Sequence, residues 1–147
     1  MLRFEGDRDF PQPPAELFAK LTDACFLVTC IPDVESVAYQ EPDRAVFSVR
    51  PGLAFARGTL EVTLQVAEKA PPTSARMSLV SKGIGSSSTV EATLNLTPHD
   101  AGTRMHWIAE VKELGGLLKM VPQGLIRGAA QKVFDDAWTA VEAKLRG

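Results

Sequence analysis

The stretch GLLKMVPQGLIRGAAQKVFDDAWTAVEAKLR, Gly116–Arg146, decides the fold. At about 100° per residue, Ile126, Ala130, Val133, Ala137 and Val141 fall on one stripe, with Phe134, Trp138 and Leu145 on its shoulder. Gln131, Lys132, Asp135, Thr139, Glu142 and Arg146 take the opposite arc. The pattern predicts a long amphipathic helix laid across the open face of a sheet. Two positions on its buried stripe, Ala130 and Ala137, are small, so the helix either approaches the sheet closely or leaves a gap above it. Pro122 would remove a hydrogen bond and clash with the preceding turn in a helix interior, which predicts a kink or a restart there.

Upstream, the hydrophobic period is two. Leu2, Phe4, Gly6, Arg8 and Phe10 alternate with Arg3, Glu5, Asp7 and Asp9, predicting an opening strand that Pro11, Pro13 and Pro14 stop. Pro14 suits the first position of a short helix, Pro14 to Leu21, and Asp23 suits the cap of a second, Ala24 to Cys30, closed by Pro32. From Val34 to Val111, alternating runs recur: Val34 to Gln40, Arg44 to Arg50, then runs carrying Leu60, Val62, Leu64 and Val66; Ala75, Met77 and Leu79; Val90, Ala92, Leu94 and Leu96; and Met105, Trp107, Ala109 and Val111. Short turns between them favour antiparallel pairing with one face in water. The order is strand, two short helices, six strands, long helix: an α+β domain in which a curved seven-stranded antiparallel sheet wraps the C-terminal helix.

Composition narrows the function classes. At 147 residues, 45% hydrophobic and 23% charged, the chain is one domain, residues 1–147, able to bury a core without metal or disulfide. A formal charge of −2 and the lack of a basic stripe with interleaved aromatics argue against nucleic acid. Cys25 and Cys30 share one apolar segment and read as buried thiols. No run approaches the ~18 apolar residues of a membrane span, and the charged N-terminus does not resemble a signal peptide. A cytoplasmic protein is expected, with no cofactor or metal implied by ligand spacing.

Catalytic constellations are thin. His106 falls on the face opposite Met105 and Trp107, and His99 sits in a turn beside Asp100, neither with an evident partner. Asp135 and Asp136 read as solvated carboxylates, and Gly83-Ile84-Gly85, flanked by strands, reads as a hairpin turn rather than a phosphate loop. The remaining feature is apolar. Phe47, Val49, Leu53, Phe55, Val62, Met77, Leu79, Val90, Met105 and Trp107 converge on the helix stripe, and Ser88, with Ser86, shares parity with Val90. The candidate cavity is Phe47, Val49, Phe55, Val62, Met77, Leu79, Ser88, Val90, Met105 and Trp107 beneath Ile126, Ala130, Val133, Phe134 and Ala137. Periodicity alone does not separate a filled core from such a pocket.

Specific residues carry a family resemblance: Phe4-Glu5-Gly6; Cys30-Ile31-Pro32 followed by Val34-Glu35-Ser36-Val37; Lys82, Gly83, Gly85 and Ser86; Gly102-Thr103-Arg104; and Gly115-Gly116-Leu117 leading into Leu125, Ile126, Gly128, Ala129, Ala130 and Lys132. In this order they resemble the carbon monoxide dehydrogenase CoxG family of the helix-grip START/SRPBCC superfamily, over nearly the whole chain. The resemblance implies a helix-grip fold and a non-enzymatic accessory role. It further implies a hydrophobic small molecule of the lipid or isoprenoid quinone class in the cavity and a molybdenum hydroxylase as partner. A cyclase or hydrolase, which the superfamily also contains, and a recruitment module with a vestigial pocket are the alternatives. Asp33 stands where the family usually has glycine, which puts that turn's geometry in question. The sequence also stops at Gly147, without the linker and hydrophobic tail through which many members anchor to membranes, so anchoring is not carried over; Gly115 to Val121 reads as a gate over the pocket or plain core ahead of a peripheral membrane contact.

Overall fold

The computed structural model of the chain describes residues 2–50 and 58–146. The opening strand β1 (Leu2–Phe10) is followed by helices α1 (Pro14–Leu21) and α2 (Ala24–Val28). Six strands come next: β2 (Val34–Glu41), β3 (Arg44–Val49), β4 (Leu60–Ala70), β5 (Ser74–Gly83), β6 (Ser86–His99) and β7 (Gly102–Gly116). A 3₁₀ turn, Leu117–Met120, then leads to α3 (Gln123–Arg146). All pairings are antiparallel, in the order β1-β7-β6-β5-β4-β3-β2. β2 to β7 form a meander, while β1 joins at the far edge beside β7, so α1 and α2 carry the chain from one edge of the sheet to the other. Irregular register in β2, β4 and β7 bends the strands and lets the sheet curve around α3.

Local chemistry sets the helix ends. Pro13 and Pro14 open α1 where no amide donor is needed, and Leu17 and Leu21 bury its inner face. Asp23 caps α2 by accepting from the Cys25 amide at 3.0 Å. That helix ends at Val28 rather than Cys30, because the Thr29 hydroxyl takes the Phe26 carbonyl at 2.6 Å and the Cys30 amide takes that of Leu27. At Pro122 the chain restarts rather than kinks: its carbonyl accepts from the amides of Leu125 and Ile126, and its missing donor falls before the helix. Gly83-Ile84-Gly85 is the β5–β6 hairpin turn.

The core has two parts. Above the sheet, α1 packs against β6 and β7 and α2 against β2, β3 and β4, and Met77, Leu94, Leu96 and Met105 share one buried core with Leu17, Leu21 and Ala24. Along the β1–β7 side, α3 is packed by aromatic rings: Phe134 lies 5.2 Å from Phe4 and 5.6 Å from Trp107, and Trp138 lies 6.0 Å from Trp107. Gly6 permits this stack. It pairs with Trp107, and a Cβ there would sit 3.1 Å from the indole nitrogen. No helix among the described residues is long and apolar enough to cross a membrane.

Candidate functional site

The two halves of α3 meet the sheet differently. Toward the C-terminus the helix is clamped down: Val141 is fully buried, Arg8 donates to Glu142 at 3.1 Å, and Gln12 donates to the Leu145 carbonyl at 2.9 Å. Toward the N-terminus the facing side chains are Ile126, Ala129, Ala130 and Val133, and a cavity of 260 Å³ lies beneath them, open on one side. The small residues leave it; Phe134 forms its wall toward β1 and β7.

The floor comes from inward-facing positions of successive strands. Phe47 and Val49 of β3, Leu60 and Val62 of β4, Leu79 of β5 and Val90 of β6 make it apolar. Its polar spot is Ser81 of β5 and Ser88 of β6, opposite each other in register and hydrogen-bonded through their hydroxyls. One donor–acceptor pair satisfied within itself costs little to bury, and it can reopen toward a carbonyl or hydroxyl on a guest. Ile31, Pro32 and Asp33 border the cavity at one place and Val111, Leu114 and Leu118 at another. Asp33 is the ionisable residue of the described lining, and it is exposed at the rim. Its φ of 64° is the left-handed conformation that glycine adopts freely and Asp at modest cost. The departure from glycine is therefore accommodated without rerouting the turn, and the Asp33 carbonyl still accepts from the Arg50 amide at 3.0 Å.

Of the residues expected to form the cavity, Phe47, Val49, Val62, Leu79, Ser88, Val90, Ile126, Ala130, Val133 and Phe134 come together around it. Met77 and Met105 do not: both are buried in the filled core, off the cavity lining. Trp107 is buried against Phe134 and Trp138, so its ring supports the cavity wall instead of lining it. Ala137 is half-buried on the clamped half of α3, away from the void. Phe55, like Leu53, lies outside the described residues.

Sequence reasoning missed several lining positions. Leu60, Ser81 and Val111 had a usable signal, since each shares strand parity with a residue already chosen. Leu114 had none. The register shift opposite Thr89 and Val90 pairs Ser88 with Leu114 but Val90 with Val111, so parity flips across Lys112 and leaves Glu113 exposed. Leu118 sits in a 3₁₀ turn with no period to read.

Groups weighed for catalysis lie elsewhere. His106 is on the outer face, as its parity requires, but it does have partners: Asp7 at 2.8 Å from Nδ1 and Glu5 at 3.2 Å from Nε2, across the β1–β7 pair. His99 faces Arg104 at 3.1 Å. Asp135 accepts from Gln131 at 3.1 Å and Asp136 pairs with Lys132 at 2.7 Å, both in water. Burial pushes the Cys30 thiol above its ordinary range, against a smaller downward pull from Thr29, which suits an inert buried thiol.

The family model for the carbon monoxide dehydrogenase G-subunit (CoxG) matches residues 6–146. No curated protein matches the sequence. Among solved structures, a conserved protein from Geobacillus kaustophilus is similar with a TM-score of 0.86 at 21% identity, covering 99% of this chain and 95% of that one. The AHSA1 protein from Silicibacter pomeroyi is similar with a TM-score of 0.67 at 18% identity, covering 99% and 98%. A Chromobacterium violaceum protein reaches 0.68 at 14% identity, covering 96% and 95%. At these identities the structures establish the shared helix-grip fold.

Proposed function

The chain belongs to the carbon monoxide dehydrogenase CoxG family, and from that premise we propose that it is a non-enzymatic accessory protein carrying a hydrophobic small molecule between the sheet and α3. The observation that carries this reading is the cavity wall, which among the described residues is apolar except for the Ser81–Ser88 pair and the rim carboxylate of Asp33. A cyclase or hydrolase would need an acid or base held against its substrate, and an exposed Asp33 supplies neither burial nor a partner base. The wall chemistry therefore favours binding over turnover.

Size narrows the cargo. The 260 Å³ void exceeds the about 150 Å³ that holds benzene and falls just short of the about 300 Å³ at which drug-sized pockets begin. It suits one ring with its substituents, or one end of a longer chain whose remainder leaves through the open side. An isoprenoid quinone or a lipid meets that description, with a carbonyl or hydroxyl directed at Ser81 and Ser88. A cytoplasmic location and service to a molybdenum hydroxylase of the carbon monoxide dehydrogenase type complete the reading.

Native mass spectrometry of gently purified protein, followed by solvent extraction, tests it. The expected result is a stoichiometric quinone, isoprenoid or acyl species, lost in Ala130→Leu. A clean apo mass, with no thermal shift from a panel of quinones and fatty acids, would sink the carrier role. Co-purification of a molybdenum hydroxylase that persists in Ala130→Leu would then favour recruitment alone.

A further inference from the structure

A cavity open on one side is selective at its mouth, where any charge meets the head of an incoming guest. Of the described lining residues, only Asp33 and Val133 are exposed, Val133 at 38%. They mark the opening, with the Ile31–Asp33 turn on one side and α3 on the other. Along the opposite border Val111 is buried and Leu114 and Leu118 are half-buried, so that border is closed.

The carboxylate at this mouth is held in place and left unneutralised. Asp33 has a φ of 64°, and its carbonyl accepts from the Arg50 amide at 3.0 Å, which ties the turn to the end of β3. The Arg50 guanidinium goes to Glu35 instead, and Asp33 has no ion pair among the described residues. Across the mouth, next to Val133, stands Lys132. Its ammonium donates to Asp136 at 2.7 Å and is held above its ordinary value first by that bond and least by the charge of Asp33. One cation thus faces two carboxylates, and the opening keeps a net negative charge.

The floor adds a second condition. A neutral carbonyl or hydroxyl finds a donor or acceptor in the Ser81–Ser88 pair. An ionised head taken there would lose its water and meet two hydroxyls in return, far less than a buried charge needs. An anionic amphiphile is therefore left with its tail inside and its head at the mouth, beside Asp33. We propose that Asp33 is a specificity-determining residue for the carrier role set out above, on which this inference rests: a charge filter that turns away anionic amphiphiles and leaves the cavity to guests with an uncharged head. Lys132 tempers the filter without cancelling it, because Asp136 already holds the ammonium.

Isothermal titration calorimetry of the delipidated 147-residue chain tests the filter, using decanol and decanoate, which match in tail and differ in head charge. At about pH 8 the carboxyl groups of guest and protein are both ionised. The parent is expected to bind decanol more tightly than decanoate. Asp33→Asn and Asp33→Gly keep the turn, since both residues take a φ of 64° readily. Each should tighten decanoate by about fivefold, the worth of one like charge at about 4 Å in water, and leave decanol unchanged. Added salt should tighten decanoate in the parent and have little effect in Asp33→Asn. Lys132→Gln, which leaves two acids unopposed, should weaken decanoate. Decanoate binding that is equal in the parent and both Asp33 variants, or a shift of decanol and decanoate together, would overturn the filter and leave the carrier role standing. Binding of neither compound by the parent and the Asp33 variants would overturn both.

Discussion

Ala130→Leu separates a cavity from a core by the sign of its effect. Ala130 is half-buried, faces the 260 Å³ void, and sits mid-helix, where leucine is nearly as good a helix former as alanine. Three added carbons at about 0.8 kcal/mol each are worth roughly 2.4 kcal/mol if wholly removed from water. At a half-buried position about 1–2 kcal/mol of that is realised, and for a chain of this size Tm should rise by roughly 2–8 °C. Were the site closed core, the same carbons would overpack it and cost about 1–3 kcal/mol. Ala137→Leu supplies that contrast in the same helix: it lies off the void and beside Trp138, so it should lower Tm. The assay is thermal unfolding of delipidated protein, with and without a quinone or fatty acid. Parent protein at a hundred times Kd should gain about 2.7 kcal/mol from cargo, and Ala130→Leu should gain much less. A fall in Tm for Ala130→Leu, equal to that for Ala137→Leu, would refute the void as a physical feature.

Gly128 lies within α3 with nothing within 4 Å of where a Cβ would be, so Gly128→Ala should raise stability by about 0.5–1 kcal/mol in chemical denaturation while leaving cargo binding unchanged. Gly116→Ala should do the reverse. Its positive φ and the adjacent Gly85 carbonyl reject a Cβ, so a loss of about 2 kcal/mol or more is expected, together with weaker cargo binding as Leu118 is displaced. Asp9, hydrogen-bonded by Arg104 at 2.8 Å, is held below its usual value of 3.8, first by that bond and less by the charge. A depressed folded-state value means the contribution is complete at neutral pH and is lost as pH falls below 3.8 through the lowered value. An NMR titration should show the Asp9 midpoint move upward in Arg104→Gln.

Most of the fold was legible because each face has one solvent. Alternation in β3 to β7 records a sheet wet on one side, and the proline cluster at Pro11, Pro13 and Pro14 records where β1 must stop. The cavity was legible only in part. Parity says which side chains face inward, which is why Phe47, Val62, Leu79 and Val90 were found. It does not say what covers them. Met77 and Met105 have the same parity as the cavity residues and differ in being covered by packed core. Ala130 and Ala137 are likewise indistinguishable on a helical wheel; what separates them is the Trp107–Trp138 contact that draws one half of α3 down. Such facts belong to tertiary packing and leave no local trace, as does the parity flip at Lys112.

The same packing explains why an apolar void persists when its walls would gain by closing. Collapse would need α3 to drop toward β3 and β4. Phe134 props the helix against Phe4 and Trp107 on one flank, and Trp107 cannot retreat because its indole already lies against Gly6. Beyond it, Val141, Arg8–Glu142 and Gln12–Leu145 fix the C-terminal half, while buried Ile126 and the Arg127–Phe4 stack fix the start. A rigid rod held at both ends cannot sag in the middle without breaking its own hydrogen bonds. The space beneath Ala129 and Ala130 is thus maintained by Phe134, which walls it, and by Phe4, Trp107 and Trp138, which stand behind that wall, and a guest can stabilise the protein by filling it.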